Sequence, residues 1–295
     1  SVYIVGDSSV WGTLLKPEET LSGQLNDFNL IHSSTGMPIR FYNLGYPTLS
    51  LTKDAMIIDE AIHQYQPDMI LWLVTLESFP WNLQQRSPIV QNNAERLYRL
   101  DEWYNLPVKK GGTTIQHDSF WERTIIGQRR EIADYLRLQF YGFLWSATGI
   151  DQYYPDEFTP AAWDLENDSS YYDFSPDTFS EDDLAFDLVG GVINLADSHA
   201  NTVVVVINEP ILISEGENSD IRYNFYYPRW VYDQYRVMLQ QQSENLRWKY
   251  MDFWDVVPAD EFTNSAIHLT PQGETIFAQN IADRIISINQ WSLND

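Results

Sequence analysis

Val2-Tyr3-Ile4-Val5 runs directly into Gly6-Asp7-Ser8-Ser9. Four apolar residues that stop at a Gly-Asp turn read as a buried strand that presents a serine at its C-terminal end. In an open parallel α/β sheet that end is where ligands meet the protein, so Ser8 is a candidate nucleophile. A plain turn uses the same residue types. The reading gains weight from the far end of the chain, where His268 sits in Ile267-His268-Leu269-Thr270-Pro271, just before the last helical pattern.

Between these ends the hydrophobic pattern alternates strand and helix. Thr20–Asn29 reads as a helix, Ile39–Leu44 as a second strand ending at Gly45, and Ser50–Tyr65 as a helix whose Met56, Ile57, Ala61 and Ile62 share one face. Met69–Leu76 is an apolar run of the kind found in a central parallel strand covered on both faces. The alternation resumes with the β-branched strand Val203–Ile207, a helix over Arg229–Leu246, a short strand over Tyr250–Phe253 and a final helix with Thr270 as N-cap and Pro271 at its first position. Such alternation implies right-handed crossovers and a parallel sheet. The expected fold is therefore a three-layer α/β/α sandwich on a flavodoxin-like sheet of about five strands, forming one domain.

A long insertion interrupts this domain at about residues 79–200. Its first part, roughly Asn92–Thr148, reads as helical and carries Arg123, Arg129, Arg130 and Arg137; no Lys or Arg then follows until Arg222. Asp151–Asp187 mixes twelve carboxylates with many Tyr, Phe and Trp, a composition unlike that of a disordered tail. It reads as an irregular lobe over the sheet edge or the site.

The chain has 295 residues, of which 44% are hydrophobic, with 18 Lys and Arg against 42 Asp and Glu, a formal net charge of −24. That balance argues against nucleic acid as a partner and equally against an anionic membrane surface. No apolar run approaches the roughly 18–20 residues that cross a bilayer, and no leader signature is present. Cysteine is absent, which removes disulfides, thiolate metal sites and a cysteine nucleophile. His32, His63, His117 and His199 lack zinc-ligand spacing, and Glu181-Asp182-Asp183 lacks that of a calcium loop. No metal and no cofactor is expected. Asn167-Asp168-Ser169 fits a glycosylation sequon.

Gly6-Asp7-Ser8-Ser9, Asn43-Leu44-Gly45 and His268-Leu269-Thr270-Pro271-Gln272-Gly273 together resemble, in this order, blocks of the SGNH/GDSL hydrolase family, over about residues 1–78 and 201–290. The resemblance implies that Ser8 is the nucleophile and its backbone N–H an oxyanion donor, that Gly45 supplies a second N–H, and that His268 is the general base. The chemistry stands without the name: a serine hydroxyl attacks poorly until a positioned imidazole accepts its proton.

Two positions depart from the family pattern. The family's acid, three residues before the histidine, is Ser265 here, with Asn264 one residue further upstream. In a serine-protease triad, Asn in place of the orienting Asp costs about 10⁴ in turnover. A Ser–His dyad is one alternative; Glu209, Asp252, Asp255 and Asp260 are candidate substitutes, Glu209 being best placed at a strand end. The family's oxyanion asparagine falls at Thr75-Leu76-Glu77-Ser78, where an ionised Glu77 cannot donate; Asn82 is the nearby alternative. Losing one such donor costs about 10²–10³. Arg222 and Arg229, in the aromatic segment 215–230, are candidate substrate contacts through a carboxylate, the alternative being that they pair internally in a packed loop.

The expected function is a serine-dependent ester hydrolase or O-acyl transferase acting on an acylated small molecule, glycan or envelope component. The alternative is a catalytically silent surface protein of the same fold that binds glycans or assembles as a homo-oligomer. A cell-envelope or extracellular setting fits both.

Overall fold

The first strand, β1 (Val2–Val5), is buried at every position and is flanked by β3 (Phe41–Asn43) and β4 (Met69–Val74), both parallel to it. The computed structural model describes residues 1–32, 35–108, 121, 124–127, 129–148, 154–160, 167–289 and 291–293. β5 (Val203–Asn208) pairs with β4 and β6 (Lys249–Asp252) with β5, again in parallel. The order across the sheet is β3-β1-β4-β5-β6. Counted among the sheet's own strands this is the doubly wound 2-1-3-4-5 order, whose direction reverses between β1 and β4 and opens a crevice at their C-terminal ends.

Successive strand residues feed opposite faces, as a period of two requires. Tyr3, Val5, Ile70, Trp72, Val74, Val204 and Val206 pack in one core with α3 (Leu51–Tyr65), α7 (Phe186–Ala200) and α8 (Arg229–Asn245). Val2, Ile4, Met69, Leu71, Leu73, Val205 and Ile207 pack in the other with α2 (Leu21–Asp27) and α9 (Pro271–Asn289). The three-layer α/β/α sandwich read from the sequence is the observed architecture.

Local signals set most boundaries. Ser50 caps α3 by accepting from Lys53 N, and Thr20 caps α2 by accepting from Gly23 N. Thr270 accepts from Gly273 N at 3.1 Å at the start of α9. In α3, Met56, Ala61 and Ile62 are buried and Ile57 half-buried. One pairing has no counterpart in the sequence reading: β2 (Leu30–His32) pairs antiparallel with β7 (Trp291–Leu293), joining the two ends of the chain outside the main sheet.

Past β4, α4 (Pro88–Asn92) and α5 (Ala94–Glu102) lie against α3, and α6 (Arg129–Thr148) follows. α7 packs on α3 and leads through Asn201 into β5, so residues 186–200 belong to the helical layer of the sheet and carry the crossover. Glu181-Asp182-Asp183 forms a single 3₁₀ turn with Ser180 and Asp183 in a reciprocal capping box. Arg123, His117 and the positions 151–153 and 161–166 of the acidic–aromatic stretch lie outside the described residues.

Candidate active site

Asp7 and Ser8 leave β1 at the crevice, and Ser8 opens α1 (Ser8–Trp11), a single helical turn. Asp7 caps it by accepting from Ser9 N at 2.8 Å. Gly12 closes it with φ +85, a left-handed conformation in which a Cβ would lie 2.3 Å from Thr20 Cγ2. The turn is thus fixed at both ends before any tertiary contact is counted.

His268 comes from a short antiparallel hairpin closed by Thr263 N donating to His268 O at 2.8 Å and Thr270 N donating to Glu261 O at 2.9 Å. Its buried tip, Ala266 and Ile267, is tied to the loop after β5 by Leu212 N donating to Ala266 O at 2.8 Å. This hairpin turns His268 toward α1. Ser8 Oγ lies 2.8 Å from His268 Nε2, and Asn264 Oδ1 lies 2.9 Å from His268 Nδ1. With Nδ1–H donating to the amide oxygen, Nε2 carries the lone pair that faces the serine hydroxyl. The Asn264 oxygen also accepts from Thr263 Oγ1 at 3.3 Å. Burial drives the His268 imidazole down to about 4, so at neutral pH the ring is in its base form.

Among the described residues, none of the other acid candidates bonds His268; Asp252 and Glu209 have other partners. Ser265 is buried without a hydrogen bond to His268 among the described residues. Asp252 accepts from Asn208 Nδ2 at 2.8 Å and from Arg236 at 2.9 Å. Glu209 sits against α1, with its Oε2 accepting from Ser9 Oγ at 2.5 Å. Burial, and then the neighbouring Asp7, pushes the Glu209 carboxyl well above the ordinary glutamate range. Ser9 is therefore held between Asp7 at its N–H and Glu209 at its hydroxyl.

The oxyanion candidates divide. Ser8 N–H has no acceptor among the described residues. Gly45 N–H donates to Asn43 Oδ1 at 2.8 Å, while Asn43 Nδ2 donates to Val10 O at 2.6 Å. Gly45 instead allows close approach: a Cβ there would lie 2.3 Å from Trp11 N and 2.7 Å from Val10 C. Glu77, just past β4, accepts from Tyr171 OH at 3.1 Å, from Tyr172 OH, and from Arg86 Nη1 at 3.4 Å. Burial raises its carboxyl above the usual range, against the opposing hydrogen bonds of Tyr172 and Tyr171. It anchors the inserted lobe to the sheet. Asn82 is exposed on the 3₁₀ turn Trp81–Leu83.

Arg222 donates to the backbone oxygens of Asn224 (3.1 Å), Phe225 (3.0 Å) and Asp168. Arg229 donates to Ser219 O at 2.5 Å and stacks 4.2 Å over the Tyr223 ring. Both arginines bind their own loop, and Arg222 also reaches the lobe at Asp168, the internally paired case.

Lys53 is fully buried on α3, yet its Nζ donates to Gly6 O at 2.7 Å and Tyr46 O at 3.1 Å and pairs with Asp54 at 2.7 Å. It ties the loop after β1 to the loop after β3, and sequence reasoning missed it. The available signal was its position three residues before Met56, on the buried face of α3.

Beside α1 lies a cavity of about 640 Å³ lined by Trp11, Thr13, Leu14, Asn43, Pro47 and Tyr154 among others. Trp11 is 55% exposed, and Ser8 and Trp11 are three apart on one helical turn, which makes them neighbours on its surface. Among the described residues no cluster of three metal-ligating side chains occurs, and no helix is long and apolar enough to cross a membrane.

No protein-family model matches the chain, and no curated protein matches it. Solved structures do resemble it. The esterase EstA from Pseudoalteromonas sp. aligns with a TM-score of 0.48 and 13% identity over 97% of this chain and 96% of its own. A lipolytic protein of the G-D-S-L family from Veillonella parvula gives 0.43 and 11% over 96% of each chain. Est24, a carbohydrate acetylesterase from Sinorhizobium meliloti, gives 0.44 and 13% over 97% and 98%. The likeness is one of fold.

Proposed function

We propose that the protein is a serine-dependent ester hydrolase or O-acyl transferase of the SGNH/GDSL type. The observation that carries this reading is the continuous relay from Ser8 Oγ to His268 Nε2 at 2.8 Å and from His268 Nδ1 to Asn264 Oδ1 at 2.9 Å. Ser8 Oγ attacks the acyl carbonyl while His268 Nε2 takes its proton. Asn264 holds the ring in the tautomer that leaves Nε2 free. The tetrahedral oxyanion forms within reach of Ser8 N–H. Collapse expels the alcohol, which takes the proton back from His268, and leaves an acyl-Ser8 ester. Water, or an acceptor hydroxyl in the transferase case, then enters by the same path in reverse.

Asn264 orients but carries no charge, so the imidazolium formed during attack is less stabilised than beside a carboxylate, and burial of the ring lowers its basicity further. The substrate class we propose is an acylated glycan or envelope component. The cavity next to α1, walled by Trp11, Tyr154 and Pro47 with Thr13 and Asn43 as polar groups, supports it by being concave, partly apolar and of ligand size, although Ser8 and His268 are not among its lining residues. An envelope or extracellular setting goes with such a substrate.

A second reading, a silent protein that binds glycans or self-assembles, is favoured by the engagement of Gly45 N–H and the burial of Glu77 among tyrosines. A fluorophosphonate probe separates the two. Labelling at Ser8 that is lost in Ser8→Ala and weakened in His268→Ala supports the enzyme. No labelling, with p-nitrophenyl acetate turnover unchanged in both variants, selects the silent protein.

A further inference from the structure

One lysine of this chain has no access to water. Lys53, in the first turn of α3, is the one Lys or Arg that is buried among the described residues. Its Nζ donates to Gly6 O at 2.7 Å and to Tyr46 O at 3.1 Å and pairs with Asp54 at 2.7 Å. Asp54 Oδ2 in turn accepts from Trp72 Nε1 at 3.1 Å. Burial raises the Asp7 and Asp54 carboxyls. At Asp7 the hydrogen bond from Ser9 N and then the Lys53 charge oppose that rise, and at Asp54 the Lys53 charge opposes it. The ammonium therefore acts on α1 through the carboxyl that caps it as well as through Gly6 O.

An ion pair alone does not account for a lysine at this position. The attraction within a buried pair roughly offsets its desolvation, and apolar residues of the same volume commonly serve stability as well or better. What an apolar side chain cannot supply is the pair of contacts to carbonyls, and both carbonyls belong to the site. Gly6 stands two residues before Ser8, between β1 and α1. Tyr46 follows Gly45, at which a Cβ would lie 2.3 Å from Trp11 N. Tyr46 N also donates to Gly6 O, at 3.0 Å, so this one carbonyl receives both the main chain of the second loop and the ammonium. The same ammonium reaches on to Tyr46 O and closes a ring between the two loops. Hydrogen bonds from a charged donor are about twice as strong as neutral ones. A displacement of about 1 Å in a reacting group can cost about a hundredfold in rate, and Ser8 Oγ lies at 2.8 Å from His268 Nε2.

We propose, on the reading of Ser8 as the nucleophile, that Lys53 is a positioning residue: its ammonium clamps Gly6 O and Tyr46 O and so fixes the strand end that carries Ser8 against the loop that carries Gly45. Lys53 touches neither the substrate nor the proton in flight. It sets where the serine stands when His268 takes that proton.

The test compares Lys53→Met, Asp54→Asn and their combination with the parent. Lys53→Met alone strands a buried carboxylate and should lower Tm. Adding Asp54→Asn removes that charge and should recover most of the loss, while neither change restores a donor to Gly6 O or Tyr46 O. Hydrolysis of p-nitrophenyl acetate is measured at a temperature where circular dichroism shows each variant folded. There kcat of the double variant should stay about a hundredfold below that of Asp54→Asn, with KM within about threefold. Fluorophosphonate labelling of Ser8 should slow by the same factor. A lysine that served stability alone would give back kcat together with Tm. A double variant within about threefold of Asp54→Asn in kcat therefore overturns the proposal, and so does a loss confined to KM. A parent without Ser8-dependent turnover is a different failure: it removes the nucleophile reading, and the role of Lys53 with it.

Discussion

Replacing Asn264 by Asp puts a charge where the relay has only a dipole. At the 2.9 Å contact with Nδ1, a carboxylate would face the imidazolium that forms as Ser8 attacks. Two unit charges about 4 Å apart gain about 4 kcal/mol at an effective dielectric constant of 20. Asn264 is exposed, so solvent screening reduces this to about 1.5–2 kcal/mol. That free energy appears twice. It raises the His268 pKa from about 4 to about 5, and it lowers the barrier to proton transfer, giving about a tenfold higher kcat/KM at pH 7. The assay is initial-rate hydrolysis of p-nitrophenyl acetate between pH 3.5 and 9. The acid limb reports His268 in the free enzyme and should move upward by about one unit in Asn264→Asp. Asn264→Ala, which frees the ring, should fall by about tenfold. If Asn264→Asp stays within twofold of the parent with an unmoved acid limb, and Asn264→Ala is fully active, Asn264 does not orient His268 and the relay is a dyad.

Gly45→Ala places a Cβ 2.3 Å from a backbone nitrogen of α1, which must shift and carry Ser8 with it; the expectation is a loss of about 1–3 kcal/mol in urea unfolding and at least about a hundredfold in activity. Glu274 is buried with Oε2 unpartnered among the described residues, and burial raises its carboxyl from 4.5 to about 8. The folded state therefore holds a proton that the unfolded state releases above pH 4.5, so this contribution is full below pH 4.5 and is lost as pH rises to about 8, up to about 5 kcal/mol in all. Glu274→Gln should gain several degrees of Tm over the parent between pH 5 and pH 8; parallel pH curves for the two proteins would contradict the assignment. Glu209→Ala leaves the Ser9 hydroxyl without its acceptor and opens a void under α1. It should cost about 2–4 kcal/mol and lower kcat with little change in KM, while Glu209→Gln should recover most of both; a full rescue of kcat by acetate in Glu209→Ala without any recovery in the Gln variant would instead place a carboxylate in the chemistry.

The strand-helix alternation was legible because each element carries its own signal: the apolar runs of β1, β4 and β5, the caps Ser50, Thr20 and Thr270, and the Pro271 start of α9. β2 and β7 were not, because three-residue strands have too few positions to show a period and their partners lie at opposite ends of the chain. Nothing local in α7 marks it as the crossover helix rather than part of an insertion, because a helix says nothing of which strands it links. The lobe's contact with the sheet through Glu77, Tyr171, Tyr172 and Arg86 spans 95 positions and leaves no local pattern.

By itself, the sequence determined the doubly wound fold, the strand end that bears Ser8 and the histidine before the final helix, since all three follow from hydrophobic period and turn chemistry read over short windows. Only the tertiary structure decided which of Asn264, Ser265, Glu209 and Asp252 stands beside His268, that Gly45 N–H is spent on Asn43, that Arg222 and Arg229 face their own loop, and that Lys53 is buried beneath Gly6. Those assignments depend on which hydrogen-bonding groups a folded backbone brings within 3 Å, and candidates a few residues apart in the chain are alike until the hairpin and the crevice give them different partners.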